Sequence, residues 1–347
     1  MALASCTKVN TDRPSSEIMF SAVSHSAATR VTDYLDGYAN VPFGSYAWYK
    51  GETVEENQQF MDNQAIGYDD QKKVWTAIGT TYYWPKFGSI DFICYSPFVA
   101  GGSAAAPAPV IGESSISYNT PWNVAAHPAV DVMYADKVVG MSGNVDTDYY
   151  GYNSVPVLFH HALSRIAFQV RAGFTEKVAE TGDITRWEIY VEKITVDSCL
   201  TTGTVDFTLD QDGKWQKPAS NVWTPLEPIT DYTLNTSVMT VLTEEEQPAG
   251  GSFFVLPQQL DNQSVSVYVT IKTFRDNNDG LGERLVFEEH GVHRKAYLKA
   301  DLLGSWGINQ YITYIIIVNP AEQLEPIIFA PSTVDWEYIT VPTEIIL

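Results

Sequence analysis

Few residues of this 347-residue chain stand at spacings that chemistry would use. His160 and His161 are neighbours within Val155–Arg171 (VPVLFHHALSRIAFQVR). Apolar residues alternate through that run, as in a half-buried strand, so the two rings point to opposite faces and cannot share one metal ion. One ring is expected to pack at a seam and the other to meet solvent. Glu288-Glu289-His290-Gly291-Val292-His293 carries histidines at i and i+3, but reads better as a solvated hairpin loop than as a metal site. Asp276-Asn277-Asn278-Asp279-Gly280 resembles a calcium loop, yet it is one residue short and lacks the distal bidentate glutamate, so it reads as a turn. Asp210-Gln211-Asp212-Gly213 reads the same way. The chain has no GxSxG elbow, HExxH or GxxxxGK[ST] motif, and no local pattern singles out a carboxylate pair among its 42 acids. A protein that is not an enzyme, with no cofactor and no metal, is expected.

Composition narrows the class. Charged residues make up 18% and aromatics 13%, with 20 Tyr and 9 Trp, a mix that favours sheets over helices. Lys+Arg number 21 against 42 Asp+Glu, a formal net charge of −21 that repels nucleic acid and anionic lipid. No apolar run is long enough to span a bilayer as a helix. Three cysteines without a CxxC pair argue against a disulfide framework or a zinc site. Cys94 (IDFICYSPF) and Cys199 (ITVDSCL) lie in strand-like contexts and are expected to be buried. Cys6 differs: Leu3-Ala4-Ser5-Cys6 has the form of a bacterial lipobox, in which the cysteine sulfur receives diacylglycerol. A polar, Pro-containing tether (TKVNTDRPSSE) follows it. Five preceding residues cannot hold a signal's charged and apolar regions, so this reading requires that Met1 is not the native start. Membrane contact is expected only through that lipid.

The elements that would hold these residues are short strands between turns. Ile18–Val23 predicts a first strand and Phe43–Tyr49 a second. Phe60–Tyr68 and Lys72–Ala77 flank Asp69-Asp70-Gln71 as a hairpin, and Tyr82–Lys86 and Ile90–Pro97 follow. Polar Asn144–Asn153 marks the expected boundary, giving a leader and tether at 1–15, one unit at 16–152 and another at 153–347. In the second unit Trp187–Val196, Thr204–Leu209, Gly251–Leu256, Val265–Phe274 and Gln310–Val318 repeat the pattern without repeating the sequence. Strands at this spacing predict an all-β chain of two sandwiches.

Five stretches then occur in a telling order: YYWPK…SIDFICYSPF, VPVLFHHALSRIAFQV, FFVLPQQL, LGSWGINQYITYIIIV and IIFAPSTVDWEY. In these, from Ile18 to Tyr338, the chain resembles the Mfa-like fimbrillins of Bacteroidales, a type V pilin-like lipoprotein family. The resemblance implies two tandem transthyretin-like β-sandwich domains, export as a lipoprotein through Cys6, an outer-membrane or surface location, and assembly with other fimbrial subunits into adhesive fimbriae, as a structural subunit or as a tip or accessory subunit. It also implies an Arg-specific protease that cuts after the first strand, for which Arg30 is similarly placed. Arg13 precedes Pro14 and makes a poor substrate. The cut would release Ile18, Phe20 and Val23. The groove they leave would take a terminal strand of another subunit, here Val334, Trp336 and Tyr338, then Ile345, Ile346 and Leu347. Such an exchange satisfies apolar core and backbone together, and it propagates head to tail. The opposing expectation for Val334–Tyr338 is a last strand that pairs at home.

A rival reading is a surface lipoprotein that binds a host or bacterial glycan, with Trp48, Trp122, Trp215 and Trp223 as exposed platforms for sugar rings.

Overall fold

The computed structural model describes residues 17–24, 40–101, 107–127, 129–143, 154–209, 223–228, 231–234, 241–298, 304–320 and 328–333. Among them every regular element is a strand, apart from one 3-10 turn at Val54–Glu56. The all-β expectation holds.

Seven strands hydrogen-bond into a ring. In order they are Phe43–Lys50, Gln58–Asp69, Val74–Ala77, Phe20–Ser24, Val155–His161, Met133–Ala135 and Ser89–Ser96, which pairs back onto Phe43–Lys50. The ring is joined between the first strand and Val74–Ala77 by the single pair Phe20–Trp75, and one face of every strand becomes core. Phe20, Phe43, Trp75, Phe92, Val157 and Phe159 fill it, all but excluded from solvent. The turn between Gln58–Asp69 and Val74–Ala77 is built as the sequence predicts, with the Asp69 carboxylate accepting from the backbone N–H of Gln71 and Lys72 at 2.9 and 3.0 Å. Tyr82–Lys86 does not form the expected strand. Only Tyr83 bridges, to Glu17, because Pro85 offers no N–H and Gly88 turns the chain at φ +71°.

The second half supplies two sheets face to face. In one, Ser164–Ala172 lies parallel to Tyr311–Val318, which carries Ile328–Thr333 on its far side, while Gln247–Pro248 and Phe253–Val255 flank Ser164–Ala172. In the other, the order is Glu176–Val178, Ile184–Asp197, Ser264–Asp276 and Arg284–Tyr297, with Asp231–Leu234 also on Ile184–Asp197. Ile166, Phe168 and Val170 from the first meet Ile189, Val191, Val267 and Val269 from the second in one apolar core.

A fourth sheet ties the halves together. Ser115–Asn123 pairs with Leu200–Thr208, flanked by Val110–Gly112 and Trp223–Pro228. Its Tyr118, Trp122, Phe207 and Trp223 pack with Trp48, Ile93 and Tyr134 of the ring strands. Hydrogen bonding therefore does not follow a division at 152/153. Val155–His161, expected in the second unit, is a ring strand, and Ser115–Asn123, expected in the first, pairs with Leu200–Thr208.

Candidate assembly site

The first strand is anchored chiefly by its side chains. Ile18, Phe20 and Ala22 alternate inward and are buried at 2%, 0% and 2% exposure. Phe20 meets Phe43 and Phe92 edge-on at 5.9 and 5.6 Å. Burying an isoleucine or phenylalanine side chain contributes about 1.5–3 kcal/mol. The period of two explains the face, and Ala22 shares it with Ile18 and Phe20. The Val23 side chain lies outside the described residues.

Its backbone is less completely matched. Phe20–Ser24 runs parallel to Val155–Phe159 in an unbroken register. Val155 N–H donates to Met19 C=O at 2.8 Å, and Ile18 N–H donates to Tyr82 C=O at 2.8 Å. On the other side, antiparallel pairing is confined to Phe20 with Trp75 and Glu17 with Tyr83. Among the described residues, Ser21–Ser24 therefore have a ladder neighbour on one side only. Polar fastenings are few: Ser21 and Ser154 share a hydroxyl–hydroxyl hydrogen bond, and exposed Lys72 pairs with Glu17 at 3.1 Å. The strand is a plug, held by apolar side chains in a slot whose walls are Phe43, Trp75, Phe92 and Phe159. Sequence reasoning did not name those wall residues. Their aromatic type was visible, but their convergence depends on strands distant in sequence.

At the other end of the chain, Ile328–Thr333 forms the outer strand beside Tyr311–Val318, with Thr333 opposite Ile312. Val334, Trp336, Tyr338, Ile345, Ile346 and Leu347 lie outside the described residues, as do Cys6 and Arg30.

The residues that invited a chemical reading have structural partners. His161 is buried and its Nδ1 lies 2.7 Å from the Asp131 carboxylate. His160, on the opposite face as alternation requires, is half-buried, 2.9 Å from Asp136 and stacked on Tyr134 at 5.3 Å. Glu288–His293 is not a loop. It lies inside the strand Arg284–Tyr297, where His290 Nδ1 meets the Thr270 hydroxyl at 2.9 Å and His293 stacks on Tyr268 at 4.8 Å. Asp276 and Asp279 accept from the N–H groups of Asn278 and Leu281, each at 2.9 Å, as a hairpin turn does. Asp210–Gly213 lies outside the described residues. Burial pushes the Cys94 and Cys199 thiols up to about 12, so both stay protonated and inert near neutrality. Trp48, Trp122 and Trp223 are not platforms. They are buried at 9%, 1% and 1%, and the Trp223 indole donates to Ala162 C=O at 2.8 Å. Trp215 lies outside the described residues.

Comparison with known proteins decides the family. The family model described as fimbrillin-like matches residues 29–335. The chain belongs to the fimbrillin-like family. Solved structures share the fold at low identity. A fimbrial protein of Bacteroides vulgatus superposes with a TM-score of 0.59 at 13% identity, covering 92% of this chain and 99% of that one. A candidate cell adhesion protein of Bacteroides uniformis gives 0.54 at 15% identity, with 92% and 99% covered. Another, from Bacteroides ovatus, gives 0.51 at 13% identity over 94% and 100%. Comparison with curated proteins finds no match. The family assignment agrees with the resemblance read in the sequence.

Proposed function

We propose that this fimbrillin-like protein is a subunit of a bacterial surface fimbria, assembled by exchange of its first strand for a terminal strand of a neighbouring subunit. The observation that carries the reading is the construction of the first strand, with core-deep side chains on a backbone matched along one side for most of its length. An Arg-specific protease cutting after Arg30 severs the covalent link between that strand and the rest of the chain. Without it, the slot exposes four large aromatics and the N–H and C=O groups of Val155–Phe159, which favours uptake of an extended apolar segment. The tail from Thr333 onward, with Val334, Trp336, Tyr338 and Ile345–Leu347, has that composition. In this reading the ring and the face-to-face pair of sheets correspond to the family's two transthyretin-like units. Cys6 carries the lipid that holds the precursor at the outer membrane, and adhesion is the fibre's role.

The glycan-platform reading has no support from Trp48, Trp122 or Trp223, whose rings are core. The test is to treat the purified chain with an Arg-specific protease, sequence the new N-terminus and run unheated gels. A start at Val31 with an SDS-resistant ladder, both lost in Arg30→Ala, is the expected result. Cleavage elsewhere, or a chain that stays monomeric after the cut at Arg30, contradicts it.

A further inference from the structure

The strand Arg284–Tyr297 has 14 residues and, among the described residues, pairs only with Ser264–Asp276, so its far side is an open sheet edge. Leu285, Val286, Phe287 and Tyr297 on it are 49–63% exposed. A long, partly apolar edge is a template for pairing with another chain. Apart from Arg284, which pairs with Asp279 in the adjoining turn, its charges are ordered: Glu288 and Glu289 precede the middle, while Arg294 and Lys295 follow it.

The bulge in the middle makes that order self-complementary. Register shifts between Val269 and Ile271, where Gly291 turns at φ +65° and the strand carries one extra residue. Glu289 lies opposite core residue Ile271 and Arg294 opposite core residue Val267, so both belong to the core-side face. Glu288 lies opposite Lys272 and Lys295 opposite Ser266, on the other face. If two copies of the strand run antiparallel about a two-fold axis between Gly291 and Val292, Glu289 faces Arg294 and Glu288 faces Lys295, each pair on a shared face. The same register sets Phe287 against Ala296. A slip of one or two residues loses these matches, so the charges select one register.

We propose that this edge is a homotypic docking surface, at which a second copy of the chain adds its own Arg284–Tyr297 strand to form a sheet continuous across a two-fold axis. The contact is isologous and closed. It is distinct from head-to-tail strand exchange, and in a fibre it would join subunits side by side. The net charge of −21 opposes it at long range, but that repulsion is screened beyond about 8 Å at physiological salt, leaving the local matches to decide.

The test uses the full, uncleaved chain, so its outcome is independent of strand exchange. Sedimentation equilibrium at physiological salt is expected to show a concentration-dependent dimer. Glu288→Lys with Glu289→Lys makes all four matched charges basic, Arg294→Glu with Lys295→Glu makes all four acidic, and each double variant is expected to weaken the dimer at least tenfold. Mixing the two variants restores acid against base at both ends and is expected to recover the dimer. A wild-type monomer at every concentration, variants that dimerise as tightly as wild type, or a mixture of folded variants that stays monomeric overturns the proposal. Should the variants fail to fold, amide exchange on the wild type decides. Protection of residues 284–297 that rises with concentration supports the dimer. Protection already complete at dilution, which means that a segment of the same chain covers the edge, or protection that never responds to concentration, overturns it.

Discussion

The first strand and the strand Arg284–Tyr297 are opposite solutions to membership of a sheet. Phe20–Ser24 has few backbone partners beyond Val155–Phe159, yet Ile18, Phe20 and Ala22 reach the bottom of a core. Arg284–Tyr297 pairs along nearly its whole length with Ser264–Asp276, yet most of its side chains are exposed. One is held by what its side chains bury, the other by its ladder. The contrast bears on assembly. Removing the buried strand would leave apolar walls that only a similarly apolar segment can cover, so the proposed exchange would be demanding and specific. Adding a partner to the exposed strand disturbs no core.

Mutations should separate the two modes. The largest effect is expected at Phe20→Ala, which empties a site walled by Phe43, Phe92 and neighbouring aromatics and should cost about 3–5 kcal/mol in denaturant unfolding. Ile18→Ala should follow at about 2–4 kcal/mol. If either falls below about 1 kcal/mol, the side chains do not hold the strand. A smaller effect is expected where Arg284–Tyr297 begins. Arg186 grips both Glu283 oxygens at 2.7 and 2.8 Å, reaches Glu188 at 2.9 Å, and lies 4.4 Å from the Phe274 ring centroid. These groups are partly exposed, so Arg186→Ala should cost no more than about 1 kcal/mol.

That cluster also carries a pH signature. Hydrogen bonding to Arg186 is the first cause that holds the Glu188 and Glu283 carboxyls below their ordinary value of 4.5. Lowered carboxylates contribute stability that is fully present above the unfolded value and lost as pH falls through the folded ones. Wild type and Arg186→Ala should therefore differ at pH 6 and converge as pH falls from 4.5 through the lowered folded values, with urea midpoints as the readout. The smallest effect is expected at exposed Phe287→Ala, within about 0.5 kcal/mol for the dilute monomer. A loss comparable to that of Phe20→Ala would erase the contrast.

The sequence revealed local order and missed long-range pairing. Val155–His161 and Ser164–Ala172 show in the structure the strict alternation their residues announce. What the residues could not show is that the two belong to different sheets. Val155–His161 lies beside the first strand and Ser164–Ala172 beside Tyr311–Val318, and both partners are far away in the chain. That is why a boundary placed on the polar run Asn144–Asn153 looked natural although pairing crosses it. Tryptophan content likewise favoured β structure but did not reveal which rings are inside. Trp122 and Trp223 are buried because Ser115–Asn123 and the strand after Leu200–Thr208 pack against the ring strands, a tertiary fact. Glu288–His293 looked like a loop because most side chains of this edge strand meet water, and Val292 alone in that run is buried, which leaves no alternation to read. The inward face of the first strand was legible at Ile18 and Phe20. Ala22 was overlooked because a small residue gives period two little signal, although packing against a crowded core suits it well.

The central claim is that the slot of the first strand accepts the tail of another subunit. The direct measurement is binding of a synthetic peptide spanning residues 333–347 to the chain cut after Arg30, read by loss of the 1–30 fragment and by the melting temperature of the remainder. The account predicts that the peptide displaces the fragment from the cut chain and raises its melting temperature, while a scrambled peptide and the uncut chain give no response. A cut chain that keeps its fragment and ignores the peptide, or that responds equally to the scrambled sequence, would contradict it.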